Sequence, residues 1–206
     1  MKKLITILLL LLSILSFSQK IDTIIVTQIY KSYFSYTLHE PLFVVYKLYK
    51  GGGDCSREGM IFKTGDIYNS ATDKDYSHSG YDKGHMVNAE DFAFDCEKEK
   101  MTFFYYNSLP QSPKSNRGSW KTLETKIRKQ SQSDSLLIIC GGYEYEKDGT
   151  LYVPKYCYKI IKNLNTKEIK CYLFDNNESN KNEEEIFKTF VSNLPNSSLL
   201  LKIINE

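Results

Sequence analysis

Along this chain, apolar positions gather into short β-branched and aromatic runs separated by polar turns. "IDTIIVTQIY" and "PLFVVYKLY" carry Ile, Val, Phe and Tyr in runs of strand length. "KGGGDCSREG" reads as a loop, and "DIYNSATDKDYSHSG" is polar and turn-rich without a clean period. "MTFFYYNSLPQ" is strand-like up to Asn107 and is stopped by Pro110. "SNRGSWKTLETKIRKQSQ" sets Trp120, Leu123 and Ile127 at helical spacing, which predicts a helix from about residue 116 to 131. "SLLIICGGYEY" reads as a buried strand ended by Gly-Gly. "KYCYKIIKNLNTKEIKCYLFD" reads as two strands joined by an Asn-rich turn. "KNEEEIFKTFVSNL" predicts an amphipathic helix with acids in its first turn, where they suit the helix dipole, and "SSLLLKII" a last strand. No internal repeat is evident. This order of elements predicts an α+β fold with a mostly antiparallel β-sheet core flanked by helices.

The N-terminus follows a different rule. "MKK" is a short basic segment, and "LITILLLLLSILSF" is an apolar run of 14 residues, too short for an ordinary membrane span. Ser16 and Ser18 then occupy small-residue cleavage positions. The expectation is a signal peptide over residues 1–18, cleaved after about Ser18. An uncleaved anchor is the alternative. Residues 19–206 would form a single secreted or periplasmic domain, with no membrane attachment after cleavage. Loss of Lys2 and Lys3 leaves 25 of the 27 basic residues against 25 acidic ones, a net charge of zero. That excludes a uniformly basic nucleic-acid coat, so any attraction to phosphate must be local.

The cysteines are Cys55, Cys96, Cys140, Cys157 and Cys171, with no CxxC pair to suggest a zinc ribbon or a thioredoxin-like motif. An oxidising compartment makes at least one disulfide plausible. Cys157 with Cys171 across the expected hairpin, and Cys55 with Cys96, are the candidate pairs.

Three polar segments resist a purely structural account: Asp82-Lys83-Gly84-His85, Asn107 ahead of "SLPQ", and "SNRGSW" with Glu124 beyond it. A neutral imidazole at His85 can accept a proton from water near pH 7, although a lone His is more often a structural group. His39 and His78 are read as structural. Asn116 suits a helix start as a cap. Glu124 follows it by eight residues, about 12 Å along a helix axis. Both side chains together barely span that distance, so direct binding of one metal by the pair is disfavoured, but Glu124 could hold one of the metal's waters. Lys114, Arg117, Lys121, Lys126, Arg128 and Lys129 surround Glu124 as the lone acid, a local basic excess that suits either a solvated helix face or phosphate.

Together these segments resemble the DNA/RNA non-specific endonuclease family, the secreted sugar-non-specific nucleases with a ββα-metal (His-Me finger) active site. The family pattern runs "SGYDRGH", "ADF", "FY..N..PQ" and "LNRG.W..LE". Here it reads "SGYDKGHMVNAEDF", "TFFYYNSLPQSP" and "SNRGSWKTLE", in the same order and with family-like gaps. The resemblance is dense over about residues 77–124 and weaker through "EPLFVVYKL" and "YVPKYCYKIIKN".

The resemblance implies an endonuclease that hydrolyses DNA and RNA with little sequence preference and leaves 5′-phosphate ends. It implies His85 as general base and Asn116 as the one direct protein ligand of Mg²⁺, with Mn²⁺ as a substitute. Glu124 would act through a metal-bound water, Asn107 would position the site, and Asp82 would tether the turn that presents His85. Arg57, Arg117 and Lys121 are candidate contacts for substrate phosphate. Lys83 stands where the family has Arg, keeping the charge but losing the planar fork that grips phosphate bidentately. Two other readings are a non-catalytic nucleic-acid-binding protein on the same fold, and a structural metal cluster of His85, Glu90 and Asp91. Biological role, oligomeric state and any inhibitor protein are not legible in the sequence.

Overall fold

The computed structural model describes residues 19–177, 182–185 and 187–206. The leader expected over residues 1–18 lies outside the described residues. Among the described residues, no helix is long and apolar enough to cross a membrane.

The strands are β1 (Thr23–Val26), β2 (Tyr30–Ser35), β3 (Glu40–Leu48), β4 (Asp82–His85), β5 (Ser108–Gln111), β6 (Leu136–Asp148), β7 (Leu151–Asn163), β8 (Ile169–Asp175) and β9 (Asn182–Glu185). Seven of them form one antiparallel sheet in the order β1-β2-β3-β6-β7-β8-β9, while β4 and β5 pair as a separate ribbon. The helices are α1 (Asp73–Tyr76), α2 (Cys96–Lys100), α3 (Pro113–Ser115), α4 (Lys121–Gln130), α5 (Phe187–Asn193) and α6 (Ser197–Asn205). The result is α+β, as the pattern of elements predicts.

Both faces of the central strands are covered, so successive residues serve different cores. On β6, Leu136, Ile138 and Cys140 join Trp120, Leu123 and Ile127, from the end of the wide turn before α4 and from α4 itself. Ile139 joins Phe190, Val191, Leu194, Leu200 and Ile204 on the opposite face. The ribbon-and-α4 module and the C-terminal helices thus sandwich the sheet, each held by about 25 cal/mol for every Å² of apolar surface removed from water.

Several local expectations are corrected. "SSLLLKII" is helix α6, because Leu200 and Ile204, four residues apart, both bury on the sheet. In the acidic run, Asn182–Glu185 is an edge strand paired with β8, and the helix starts only at Phe187. Gly141 and Gly142 do not end β6. A side chain at Gly141 would meet the Leu42 carbonyl at 2.5 Å and the Tyr158 hydroxyl at 2.6 Å, so glycine permits close packing inside the strand. Tyr105–Asn107 is a single 3₁₀ turn, and the strand begins after it with Pro110 inside. A ribbon without further neighbours tolerates the missing N–H.

Cys55 and Cys96 are joined, with Cα atoms 5.5 Å apart, whereas Cys157 and Cys171 are free. Cys157 pairs in register with Phe174, and Cys171 with Ile160. The two thiols lie in the cores on opposite faces of the sheet, so no bond can form across the hairpin.

The disulfide spans 41 positions of chain. Release of the unfolded chain from a closed loop of that size raises its entropy and predicts that Cys55→Ser/Cys96→Ser lowers unfolding free energy by about 4 kcal/mol. A drop in the urea midpoint, with a slope that rises as the unfolded chain expands, checks this.

Candidate active site

β4 presents the Asp82-Lys83-Gly84-His85 motif, and β5 holds it in register, with Asp82 opposite Gln111 and His85 opposite Ser108. Gly84 is required by contact. A Cβ there would lie 2.0 Å from Gln111 Oε1 and 2.5 Å from its Cδ.

Just past His85, the buried Asn107 side chain replaces a ladder. Its Oδ1 accepts from the Val87 N–H at 2.8 Å, and its Nδ2 donates to the Val87 carbonyl at 3.1 Å and the Thr102 carbonyl at 2.8 Å. The Met86 N–H donates to the Asn107 carbonyl at 2.9 Å. Asn107 therefore fixes the backbone that leaves β4.

The His85 ring sits against Phe62 and Phe103, with centroids at 4.7 and 4.8 Å. Its Nε2 is shielded and has no hydrogen-bond partner. Burial first, then the charges of Arg57 and Lys159, lowers its pKa to about 3. The imidazole is thus neutral near pH 7.

The backbone from Pro113 to Gln130 is helical apart from a wide turn over Asn116–Trp120, kinked at Gly118. Such bulges in a helix re-aim side chains and recur at functional sites. Asn116 Nδ2 donates to Asp82 Oδ2 at 2.9 Å, which leaves Oδ1 as the amide's acceptor. Trp120 Nε1 donates to the His85 carbonyl at 3.3 Å. These two hydrogen bonds, with two more from Arg117 in the same turn, join the turn that carries Asn116 to the strand that carries His85. Arg117 grips Asp82 with Nε at 2.8 Å and Nη2 at 2.6 Å. Burial alone would raise the Asp82 acid, but the bonds from Arg117 and Asn116 outweigh it and hold the acid below its ordinary value.

Glu124 is buried under α4, and its Oε1 has no hydrogen-bond partner. Burial raises its acid, against the opposing charges of Lys159 and Arg128.

Three of the four candidate phosphate-binding cations already hold acids. Lys83 is paired with Asp73, and its Nζ lies 5.5, 5.7 and 6.0 Å from the Tyr105, Phe62 and Tyr76 ring centroids. Arg57 pairs with Glu90 at 2.9 Å and with buried Glu99 at 3.0 Å. Arg117 is taken by Asp82. Lys121 is exposed at the start of α4.

Glu90 and Asp91 do not converge on His85 as ligands. Glu90 serves Arg57, while Asp91 is buried against Tyr46 and Arg128 at 3.1 and 2.9 Å. Among the described residues, no three His, Cys, Asp or Glu side chains form a metal cluster. A hydrated divalent cation fits better. Asn116 Oδ1 is a hard amide oxygen, and the unpartnered Glu124 Oε1 is a carboxylate acceptor for a water.

Reading residue by residue along the sequence missed Asp73, Arg128 and Lys159. Lys159 carried a signal in the strand period. It shares parity with Cys157 and Ile161, both of which face the core beneath α4.

The site is a two-stranded ribbon followed by a bulged helix on an antiparallel sheet, with the strand that carries His85 bonded to the turn that carries Asn116. The family model for DNA/RNA non-specific endonucleases matches residues 12–197, and the chain belongs to that family. The chain is 32% identical to human mitochondrial Endonuclease G over 116 residues, 53% of this chain and 38% of that protein. It is 37% identical to a nuclease of Nostoc sp. over 90 residues, 42% of this chain and 33% of the relative. The matched stretches thus span well under half of these curated relatives. The crystal structure of the EndoG/EndoGI complex superposes with a TM-score of 0.72 over 82% of each chain, at 21% identity, a likeness of fold.

A depressed His85 pKa has a sign that can be checked. The unfolded chain binds this proton near pH 6.5, whereas the folded site resists it down to about pH 3. Stability should therefore fall as pH drops below 6.5. An NMR titration of the His85 Cε1 proton in the free protein should show no protonation between pH 8 and 5.

Proposed function

We propose that this protein is an exported, divalent-metal-dependent endonuclease that hydrolyses phosphodiester bonds of DNA and RNA with little sequence preference. Membership of the family supports the reaction class. The observation that carries the reading is the joining of the His85 strand to the Asn116 turn, through Asp82 and through Trp120.

In this reading, the neutral imidazole of His85 takes the proton of the attacking water. Asn116 offers its Oδ1 to the cation, and Glu124 accepts a hydrogen bond from one of the cation's waters. When bound, Mg²⁺ supplies charge neutralisation at phosphorus and at the leaving oxygen, and Mn²⁺, also oxygen-seeking, substitutes. Cleavage of the P–O3′ bond leaves 5′-phosphate ends. Asp82 holds the ribbon and helix together, and Asn107 holds the exit of β4.

Contacts to the phosphate backbone rather than to base edges account for weak sequence preference. Lys121 is an exposed cation on the helix for that task, while Arg57, Arg117 and Lys83 already hold carboxylates. Export is supported by the apolar leader and by the Cys55–Cys96 bond, which suits an oxidising compartment. Cleavage after about Ser18 would leave residues 19–206 as one domain.

The tethered Lys83 favours a second reading, a protein that holds nucleic acid without cutting it. Digestion of supercoiled plasmid separates the two. Wild-type protein with Mg²⁺ should give nicked and linear products, EDTA should abolish them, and His85→Ala should cut at least about 100-fold more slowly with an intact fold. Asn116→Ala should lose both metal affinity and turnover. Intact plasmid with Mg²⁺ or Mn²⁺ throughout pH 6–9 refutes the endonuclease, and a gel shift of that intact plasmid establishes the binding protein instead.

A further inference from the structure

The reading above gives Lys159 no task. Its side chain is wholly buried on β7, directly across from Cys140 on β6. Its Nζ lies 3.9 Å from the Trp120 ring centroid, 3.6 Å from Glu124 Oε1, 3.2 Å from Cys140 Sγ and 3.5 Å from the Met86 carbonyl. An ammonium removed from water needs a full opposite charge close by. The acids beneath α4 are Glu124 and Asp91, and Asp91 is held by Arg128 at 2.9 Å. Glu124 is therefore the carboxylate directly paired with Lys159.

The geometry of that pair is specific. At 3.6 Å the charges attract, yet no hydrogen bond forms, and Glu124 Oε1 keeps its acceptor capacity. The cation also packs on Trp120, which ends the wide turn begun by Asn116. One buried charge thus touches Glu124 and the ring that ends the turn begun by Asn116, both from the sheet side.

We propose that Lys159 is a positioning residue, which holds the Glu124 carboxylate by charge at the place where its free oxygen accepts a water of the divalent cation. This rests on the cation reading of the preceding section. A purely structural lysine would be replaceable by an apolar side chain of similar volume without any effect on the cation.

The test is Mn²⁺ affinity of the full-length protein, read from the free-ion electron paramagnetic resonance signal without any substrate. Wild type, Lys159→Met, Glu124→Gln and the double variant form a cycle, with thermal unfolding recorded for each. Lys159→Met should weaken Mn²⁺ binding roughly tenfold when Glu124 is present, and no further in the Glu124→Gln background. Raising Mn²⁺ should then restore cutting by Lys159→Met. Binding unchanged by Lys159→Met, or weakened equally in both backgrounds, overturns the assignment. Should Lys159→Met fail to fold, Glu124→Gln is compared with the double variant, in which no buried charge is left unpaired with Glu124. Equal affinities support the assignment, and a further loss overturns it. A wild type that cuts but shows unchanged affinity in every variant overturns Lys159 alone. A wild type that binds no Mn²⁺ overturns the cation site and Lys159 with it.

Discussion

Four charges meet at the inner face of α4, three of them buried, and they come in opposite pairs: Asp91 with Arg128, and Glu124 with Lys159. Ions in a low-dielectric interior are costly unless paired, so the pairs tolerate little displacement of α4 along the sheet. Burial and the neighbouring Glu124 charge push the Asp91 acid up to about 6 even with Arg128 beside it. The apolar contacts of Leu123 and Ile127 supply attraction without direction, while the charges supply the register. Everything that the helix and its leading turn carry is placed by that register.

On the strand side, hydrogen bonds do the equivalent work. Asn107 uses one acceptor and two donor bonds to stop the chain drifting after His85, and Gln111 fills the space that Gly84 leaves open. The aromatic walls around His85 then depress its affinity for protons by excluding water. One of those rings, Phe62, also lies against Lys83, with Tyr76 and Tyr105 beside it. A Lys at this position is therefore accommodated as a caged cation rather than as an outward-facing one.

Much of this was legible in the sequence, for reasons that differ by element. His85, Asn107, Asn116 and Glu124 were marked by the resemblance of their motifs to a known family, although the contacts that join them span 20 to 35 positions of chain. The central strands were legible from β-branched runs. Elements decided by distant partners were not: "SSLLLKII" has no period that separates a strand from a helix, and only the sheet face that receives Leu200 and Ile204 decides it. The acidic run became an edge strand because β8 offered a free edge. Lys159 was hidden because a lysine amid Ile and Tyr reads as a solvent-facing position until its parity with Cys157 is followed. The Cys157–Cys171 pairing failed on register and face, which no spacing rule reports.

The Cys55–Cys96 bond also divides the chain topologically. Arg57, Asp73, Asp82, Lys83, His85 and Asp91 all lie within the closed ring, whereas Asn107, Asn116, Glu124 and Lys159 lie on the open chain beyond it. The two groups meet through non-covalent contacts, among them the β4–β5 ladder, the Asn107 peg, the bonds to Asp82 and the Arg128–Asp91 pair. The His85 half is thus borne on a macrocycle and the proposed cation-binding half on linear chain, so the redox state of a single bond bears on the unfolded-state freedom of one half and not of the other.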